Sequence, residues 1–304
     1  MSGRLGHLLA FAALRRGLQV RGLGRSPGAV KADLACSLES FITTTAYYDV
    51  PALRRAVTGV DAVICAYSPT PQMYLEAQLL LLREAENAGV KIFHAQTWNL
   101  NWHGIQFGDM EYYDAQISFC RQVELTSKIR PVYVFSGVFG EQLWGPLSGT
   151  FPTKRSDGTC TIDYWGAGNT KYPWTSMKNC AEFSIELLTT EKDVVDGKGG
   201  FFFVRSGYNT VREFAEVYER LKQVKVELIR KGSSEDLHAK VQELRRTNSP
   251  RRHCKWLGLL VADLAEQGKW SIGDYKVFEN IQVDTIEDII QEIDPEACGT
   301  TKAA

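Results

Sequence analysis

Two hydrophobic periodicities alternate along the first 136 residues of the chain. Short, nearly continuous apolar runs are typical of parallel strands buried on both faces, whereas apolar residues spaced three and four apart indicate helices. The pattern predicts strands at 19–24, 38–43, 61–67, 90–95 and 130–136, and helical segments at 8–15, 28–34, 51–57, 72–88 and 112–126. This alternation predicts a parallel sheet with right-handed crossovers and a ligand site outside the carboxyl ends of its strands.

The pattern changes after about residue 144, where loops rich in glycine, proline and threonine begin. Helices are predicted at 178–189, 210–223, 233–245, 253–268 and 285–293, with strands at 201–205 and 224–229. We therefore expect a Rossmann-type, doubly wound α/β domain over residues 1–144 and a smaller α+β substrate or interaction lobe over 145–304. No low-complexity linker separates them, so the two are expected to pack as one unit.

The first 27 residues carry the most specific chemistry. Gly3 and Gly6 precede an apolar helix, and the following strand ends at Gly24 and Arg25. This is the second half of a dinucleotide-binding βαβ unit, in which glycines let the backbone approach a pyrophosphate at a helix N-terminus. An arginine after the second strand suits the additional 2′-phosphate of NADP. The segment therefore predicts an NADP(H) site.

The buried strand that precedes such a glycine turn is absent from the sequence. It is the central strand of a doubly wound sheet, and without it two flanking strands would face each other with unpaired backbone groups, each costing about 1–3 kcal/mol. We therefore hypothesise that the sequence is an N-terminally truncated gene model. Sequencing the 5′ end of the transcript tests this, and a start mapped at Met1 would contradict it.

Composition narrows the choice of partner and compartment. The chain has 304 residues and a formal net charge of −1, which does not favour nucleic-acid binding. Seven cysteines without CxxC spacing predict a reducing compartment, so we expect a cytoplasmic protein, or a nuclear one if its role is regulatory. No apolar run has the length of a membrane span, and His238 has no partner at metal-ligand spacing, so neither a membrane nor a metal is expected.

Five ordered blocks, at 20–27, 47–71, 84–99, 113–139 and 172–189, together resemble the NmrA-like atypical short-chain dehydrogenases, and within them the fungal NmrA-like proteins. The resemblance covers most of the chain and implies NADP(H) binding in a Rossmann domain. It also implies contacts along the whole cofactor. The glycine motif corresponds to Ser2, Gly3, Arg4, Leu5 and Gly6; the 2′-phosphate segment to Arg25, Ser26 and Pro27; the adenine loop to Asp49 and Val50; the pyrophosphate and ribose loop to Tyr67, Ser68 and Pro69; and the nicotinamide wall to Phe139, Gly140 and Glu141.

The catalytic position departs from the resemblance. Reductive members of the wider group use a lysine on the helix after the fifth strand, and alignment places Ile117 there. The Tyr-x-x-x-Lys pattern of ordinary short-chain dehydrogenases is also absent. The proton donors that remain are His94, His103, Tyr112 or a bound water. Trp98 and Trp102 are expected to pack a lid over the cleft.

Two functions follow from these observations. The first is an NADPH-dependent oxidoreductase of a small carbonyl or phenolic metabolite, which the aromatic cleft favours. The alternative is a non-catalytic NADP(H)-sensing regulatory protein, a redox sensor that acts through a protein partner. The missing lysine favours that alternative.

Overall fold

The structure is a computed structural model that describes residues 1–143, 152–270 and 273–292. The first part alternates helices and strands as predicted. Its elements are α1 (Arg4–Arg15), β1 (Arg21–Gly24), α2 (Ala32–Ser37), β2 (Ser40–Thr43), α3 (Val50–Val57), β3 (Ala62–Ile64), α4 (Gln78–Asn87), β4 (Ile92–His94), α5 (Asp114–Thr126) and β5 (Val132–Phe135).

The second part mixes short strands with helices. Its elements are β6 (Val138–Phe139), β7 (Pro152–Lys154), β8 (Cys160–Tyr164), β9 (Lys171–Thr175), α6 (Met177–Thr190), α7 (Lys192–Val195), β10 (Gly200–Phe203), β11 (Gly207–Thr210), α8 (Val211–Lys222), β12 (Val226–Arg230), α9 (Ser234–Thr247), α10 (Leu257–Glu266) and α11 (Ile286–Glu292). Short 3₁₀ segments lie at Pro27–Ala29, Trp102–Gly104, Gly140–Gln142 and Pro250–Lys255.

Two of the four sheets among the described residues contain parallel pairs only. β1 pairs with β2 in one, and the order β10-β5-β4-β3 makes the other. β1 and β3 are not hydrogen-bonded to each other, and the Met1 ammonium donates to the carbonyl oxygen of Leu23 at 2.7 Å. Two three-stranded sheets, β11-β9-β6 and β12-β8-β7, lie in the second part.

Helices cover both faces of the four-stranded sheet, which makes the fold a Rossmann-type, doubly wound one. On one face α1 and α6 pack against Val132 and Val134 of β5. On the other, residues of α3, α4 and α5 form a core with Phe93 and Phe135. α6 and β10 come from beyond residue 144. The second part of the chain therefore completes the four-stranded sheet and one of the helical layers that cover it.

The helix boundaries differ from prediction in several places, and the segment predicted at 28–34 is a 3₁₀ turn followed by α2. α1 begins at Arg4 rather than Leu8. Gly6 lies in the first turn of this helix and packs against Met1, so it does not form a loop before the helix. The predicted helix 72–88 opens with a π-helical turn, Met73–Ala77, and 253–268 divides into a 3₁₀ segment and α10. Asp49, Thr210 and Ser233 cap α3, α8 and α9, since each side chain accepts a hydrogen bond from the first turn of its helix. No helix among the described residues is long and apolar enough to cross a membrane.

Candidate active site

A cleft of about 810 Å³ lies outside the carboxyl ends of β1, β3, β4 and β5. Two groups of residues that line it differ in character. The first, which we call the glycine region, comprises Ser2 to Gly6, Leu23 to Arg25 and Thr44 to Tyr47. The second, the tyrosine region, comprises Tyr74, Met110, Tyr112, Tyr113, Leu257 and Val261. The loops at 66–70 and 96–100 line the same cleft.

The glycine region places the N-terminus of α1 against the cleft. Gly3 is the N-cap, no side chain caps this end, and no acidic residue lies in the first turn. The N–H groups of a first turn have no partner within the helix, so this end attracts an anion. A Cβ on Gly3 would meet no atom within 4 Å, whereas one on Gly6 would lie 2.7 Å from the Met1 carbonyl oxygen. Glycine is therefore required for packing at Gly6, and at Gly3 it leaves the cleft open.

Two arginines of β1 and its following loop have different roles. The Arg21 guanidinium pairs with Glu39 at 2.8 Å and donates to the carbonyl oxygen of Thr58 at 2.7 Å. Arg25 is exposed and lines the cleft, and its guanidinium has no hydrogen-bond or ion-pair partner among the described residues. Ser26 and Pro27 do not line the cleft. Of the predicted phosphate segment, Arg25 alone is positioned to bind an anion there.

The adenine loop reaches the cleft through neighbours of the predicted residues. Thr44 to Tyr47 line it, and Asp49 and Val50 do not. Asp49 instead stabilises the loop, because its carboxylate accepts from Thr45 N at 3.0 Å and from Ala52 N at 3.2 Å. These hydrogen bonds lower the pKa of Asp49. The Tyr47 hydroxyl donates to Glu76 at 2.8 Å, which fixes the ring at the cleft wall.

The loops after β3 and β4 carry polar atoms that the sequence did not single out. Tyr67, Ser68 and Pro69 line the cleft as predicted, and so do Gln96 and Asn99. The Tyr67 hydroxyl, Gln96 Oε1 and Asn99 Oδ1 are buried without a hydrogen-bond partner. Buried polar atoms normally have partners, so unpaired ones beside a cleft point to a bound group. A side-chain amide after a strand is a weak sequence signal, since most such amides face solvent.

The predicted nicotinamide wall is divided. Phe139 lines the cleft, whereas Gly140 and Glu141 do not. A Cβ on Gly140 would lie 2.9 Å from Ile289 of α11, so Gly140 allows that helix to pack. Glu141 accepts from the Met177 N–H at 3.1 Å at the start of α6 and pairs with Arg4 at 3.4 Å. Burial raises the pKa of Glu141. Its role here is to join α1, α6 and the 3₁₀ segment that follows β6.

Comparison with known proteins identifies the family of this chain. The model of the NmrA-like family matches residues 1–239. The chain belongs to the NmrA-like family. A bifunctional pinoresinol-lariciresinol reductase of Linum usitatissimum is 27% identical over 186 residues, which cover 59% of this chain and 57% of that protein. The chain thus spans somewhat more than half the length of the curated relatives it matches.

Solved structures extend this likeness over nearly the whole fold. The crystal structure of isoflavone reductase superposes with a TM-score of 0.74 at 18% identity and covers 95% of each chain. AtPrR2 with NADP+ and (+)pinoresinol superposes with a TM-score of 0.73 at 19% identity, again over 95% of each chain. At these identities the likeness establishes the Rossmann-type reductase fold.

Within this NmrA-like fold, the two predicted histidines lie outside the cleft. His94 is fully buried under Trp98, with the two rings stacked at 4.5 Å, and its Nδ1 lies 2.7 Å from the Ala95 carbonyl oxygen. Burial lowers its pKa to about 4, so the ring is neutral at pH 7. His103 is exposed and packs on Phe201, 4.6 Å between ring centroids, away from the cleft. Neither histidine lines the cleft, so neither is positioned to donate a proton to a substrate bound there.

Tyr112 does line the cleft, but its hydroxyl is engaged by the protein. It lies 3.3 Å from the Tyr74 hydroxyl and 3.5 Å from the Pro69 carbonyl oxygen. Ile117, at the position of the expected lysine, is buried in the core and does not reach the cleft. Tyr113, one helical turn before Ile117, reaches it. Trp98 lines the cleft, whereas Trp102 is buried against Tyr133 and Phe135, so only Trp98 contributes to its wall.

The cleft contains few titratable side chains. No histidine, lysine, cysteine, aspartate or glutamate lines it among the described residues. Its ionisable side chains are two arginines and five tyrosines: Arg4, Arg25, Tyr47, Tyr67, Tyr74, Tyr112 and Tyr113. The described part of the chain also holds no cluster of three or more His, Cys, Asp or Glu side chains suited to a metal. Acid chemistry by a side chain in this cleft therefore falls to a tyrosine.

Proposed function

We propose that this protein is an NADPH-dependent reductase of a small aromatic carbonyl or phenolic metabolite. The observation that carries the proposal is one cleft that joins an uncapped helix N-terminus and an unpaired arginine to a wall of aromatic and aliphatic side chains. The first part suits a dinucleotide with a 2′-phosphate. The second suits a planar apolar substrate.

The residues present fit NADP(H). The first turn of α1 would receive the pyrophosphate, and Arg25 would bind the 2′-phosphate. Gln96 Oε1 and Asn99 Oδ1, both unpaired acceptors, would take hydrogen bonds from hydroxyl or amide donors. When bound, NADPH supplies a hydride to an electrophilic carbon of the substrate. The names of the relatives, reductases of lignans and isoflavones, support a phenolic substrate class.

The test is a titration followed by a turnover assay. Binding of NADPH and NADP+ is measured by quenching of tryptophan fluorescence, for which Trp98 in the cleft wall is a reporter. NADPH consumption is then followed with cinnamaldehyde, chalcone and 1,4-naphthoquinone. Binding together with turnover of one of these supports the reductase, and absence of cofactor binding contradicts it.

One observation favours a second function, a non-catalytic NADP(H) sensor that acts through a protein partner. The described cleft lacks the lysine, histidine and carboxylate side chains that most often transfer protons. A sensor would bind NADPH and NADP+ with different affinities and turn over no compound. The same two assays therefore distinguish the functions.

A further inference from the structure

The five tyrosines of the cleft differ in what their hydroxyl groups contact. Tyr47 donates to Glu76, and Tyr74 and Tyr112 share a hydrogen bond while Tyr112 donates to Pro69. The Tyr67 hydroxyl is buried without a hydrogen-bond partner. These four hydroxyls either have an acceptor for their proton or lack a hydrogen bond that orients and polarises the group.

Tyr113 is the exception. Its hydroxyl oxygen accepts a hydrogen bond from the backbone N–H of Leu100 at 3.3 Å. A phenol has one proton to donate in addition to its acceptor lone pairs, and none of the described residues accepts that proton. Accepting a hydrogen bond polarises the O–H group and strengthens it as a donor. The Tyr113 hydroxyl thus presents an available, polarised proton at the cleft wall.

The protein also fixes the position of this ring. Tyr113 is the N-cap of α5, and its ring lies edge-to-face on Trp270 at 6.1 Å. The Trp270 indole in turn donates to the carbonyl oxygen of Val261 in α10 at 2.8 Å. Leu100 follows Asn99, whose carbonyl oxygen accepts from Ser136 N at 3.1 Å, so the loop that supplies the N–H is anchored to the end of β5. Burial raises the pKa of Tyr113, which keeps the phenol protonated at neutral pH.

We infer that Tyr113 is the catalytic acid of the reduction, an inference that rests on the proposed reductase function. With a carbonyl substrate, hydride adds to the carbon, the C=O π electrons move to oxygen, and the Tyr113 hydroxyl gives its proton to that oxygen. NADPH is oxidised to NADP+ and the carbonyl is reduced to an alcohol. Solvent then returns one proton to the tyrosinate. A phenol suits this step because the alkoxide is the stronger base.

The test compares Tyr113→Phe with Tyr133→Phe, since Tyr133 is as deeply buried as Tyr113 but lies outside the cleft. Removal of a general acid typically lowers the rate about 10²- to 10⁴-fold, so we expect kcat of Tyr113→Phe to fall at least about 100-fold. The Kd for NADPH should stay within about twofold of the parent value, since the hydroxyl acts on the substrate. Tyr133→Phe should keep kcat within about tenfold, because its ring does not line the cleft and it loses contacts within the core only.

A second measurement separates a chemical role from a structural one. Replacing Tyr113 alone with 3,5-difluorotyrosine retains the ring and the hydroxyl but makes the phenol more acidic. The alkaline limb of the kcat–pH profile should then move to lower pH, a shift that a purely structural hydroxyl would not produce. An unmoved limb, or turnover retained by Tyr113→Phe, overturns the inference alone. Absence of turnover by the parent protein overturns the reductase function and this inference together.

Discussion

The glycine and tyrosine regions of one cleft are built in different ways. The glycine region takes its residues from short segments that each follow a strand or open a helix, and its chemistry comes largely from backbone N–H groups and one arginine. The tyrosine region gathers side chains from a loop, the start of α5 and the distant helix α10. Local sequence therefore specifies the first, and packing between remote segments specifies the second.

The largest expected effect concerns the segment that places Phe139 in the cleft wall. Gly137 has φ +71°, and a Cβ there would lie 2.1 Å from the Pro173 carbonyl oxygen of β9. Gly137→Ala should lower the free energy of unfolding by about 3 kcal/mol or more, because strain and a backbone clash add. Chemical denaturation measures this loss.

The matched control is Gly59→Ala, since Gly59 has φ +72° but a Cβ there meets no atom within 4 Å. Strain alone should cost about 1 kcal/mol. Equal losses for the two variants would show that contact between β6 and β9 does not constrain Gly137.

The buried His94 ring, which stacks on Trp98, should make the stability of the protein depend on pH. His94 is neutral when folded, with a pKa of about 4, whereas an unfolded histidine titrates near 6.5. The unfolded chain therefore binds the proton first, and stability is lost as pH falls from about 6.5 to 4, by up to about 3 kcal/mol. Denaturation of the parent and of His94→Gln at pH 7 and pH 4.5 measures the difference.

The exposed His103→Gln variant is the control, and it should follow the parent at both pH values. If the parent and His94→Gln lost the same stability between pH 7 and pH 4.5, His94 would be protonated in the folded state as readily as in the unfolded chain.

Arg25 tests whether the glycine region distinguishes NADP from NAD. A charge-assisted hydrogen bond contributes about 1.5–3 kcal/mol, so Arg25→Ala should weaken NADPH binding about 10- to 100-fold and leave NADH binding nearly unchanged. Fluorescence titration with both cofactors measures the ratio of the two Kd values.

Arg21→Ala is the matched control, because Arg21 is bound to Glu39 and the Thr58 carbonyl oxygen. It should reduce stability and leave the preference for NADPH as it is. An equal loss of affinity for both cofactors in Arg25→Ala would contradict the assignment of Arg25 to the 2′-phosphate.

The smallest effect is expected at Tyr47. Tyr47→Phe removes the hydrogen bond to Glu76 from an exposed position, which is worth about 0.5–1.5 kcal/mol at most. We expect the Kd values for NADPH and NADH to rise by a similar factor of about two to ten, because both cofactors carry the same adenine. A change confined to NADPH would place Tyr47 at the 2′-phosphate and not at the adenine.

The sequence by itself determined the alternation of strands and helices and the candidacy of Arg25 for the 2′-phosphate. These features depend on residues that are close together in the chain, so they can be predicted from a single sequence. It also indicated the family, since several sequence blocks resemble the NmrA-like family in the same order along the chain, and the family model matches residues 1–239.

Only the tertiary structure decided which side chains reach the cleft. His94 and Tyr113 both lie at an element boundary, yet one is buried under Trp98 and the other lines the cleft. Asp49 and Glu141 likewise stabilise helix starts where contacts to a cofactor were expected. The reason is physical: the direction of a side chain at an element boundary depends on what packs against it, and for Tyr113 and Glu141 those partners, Trp270 and Met177, are distant in the chain.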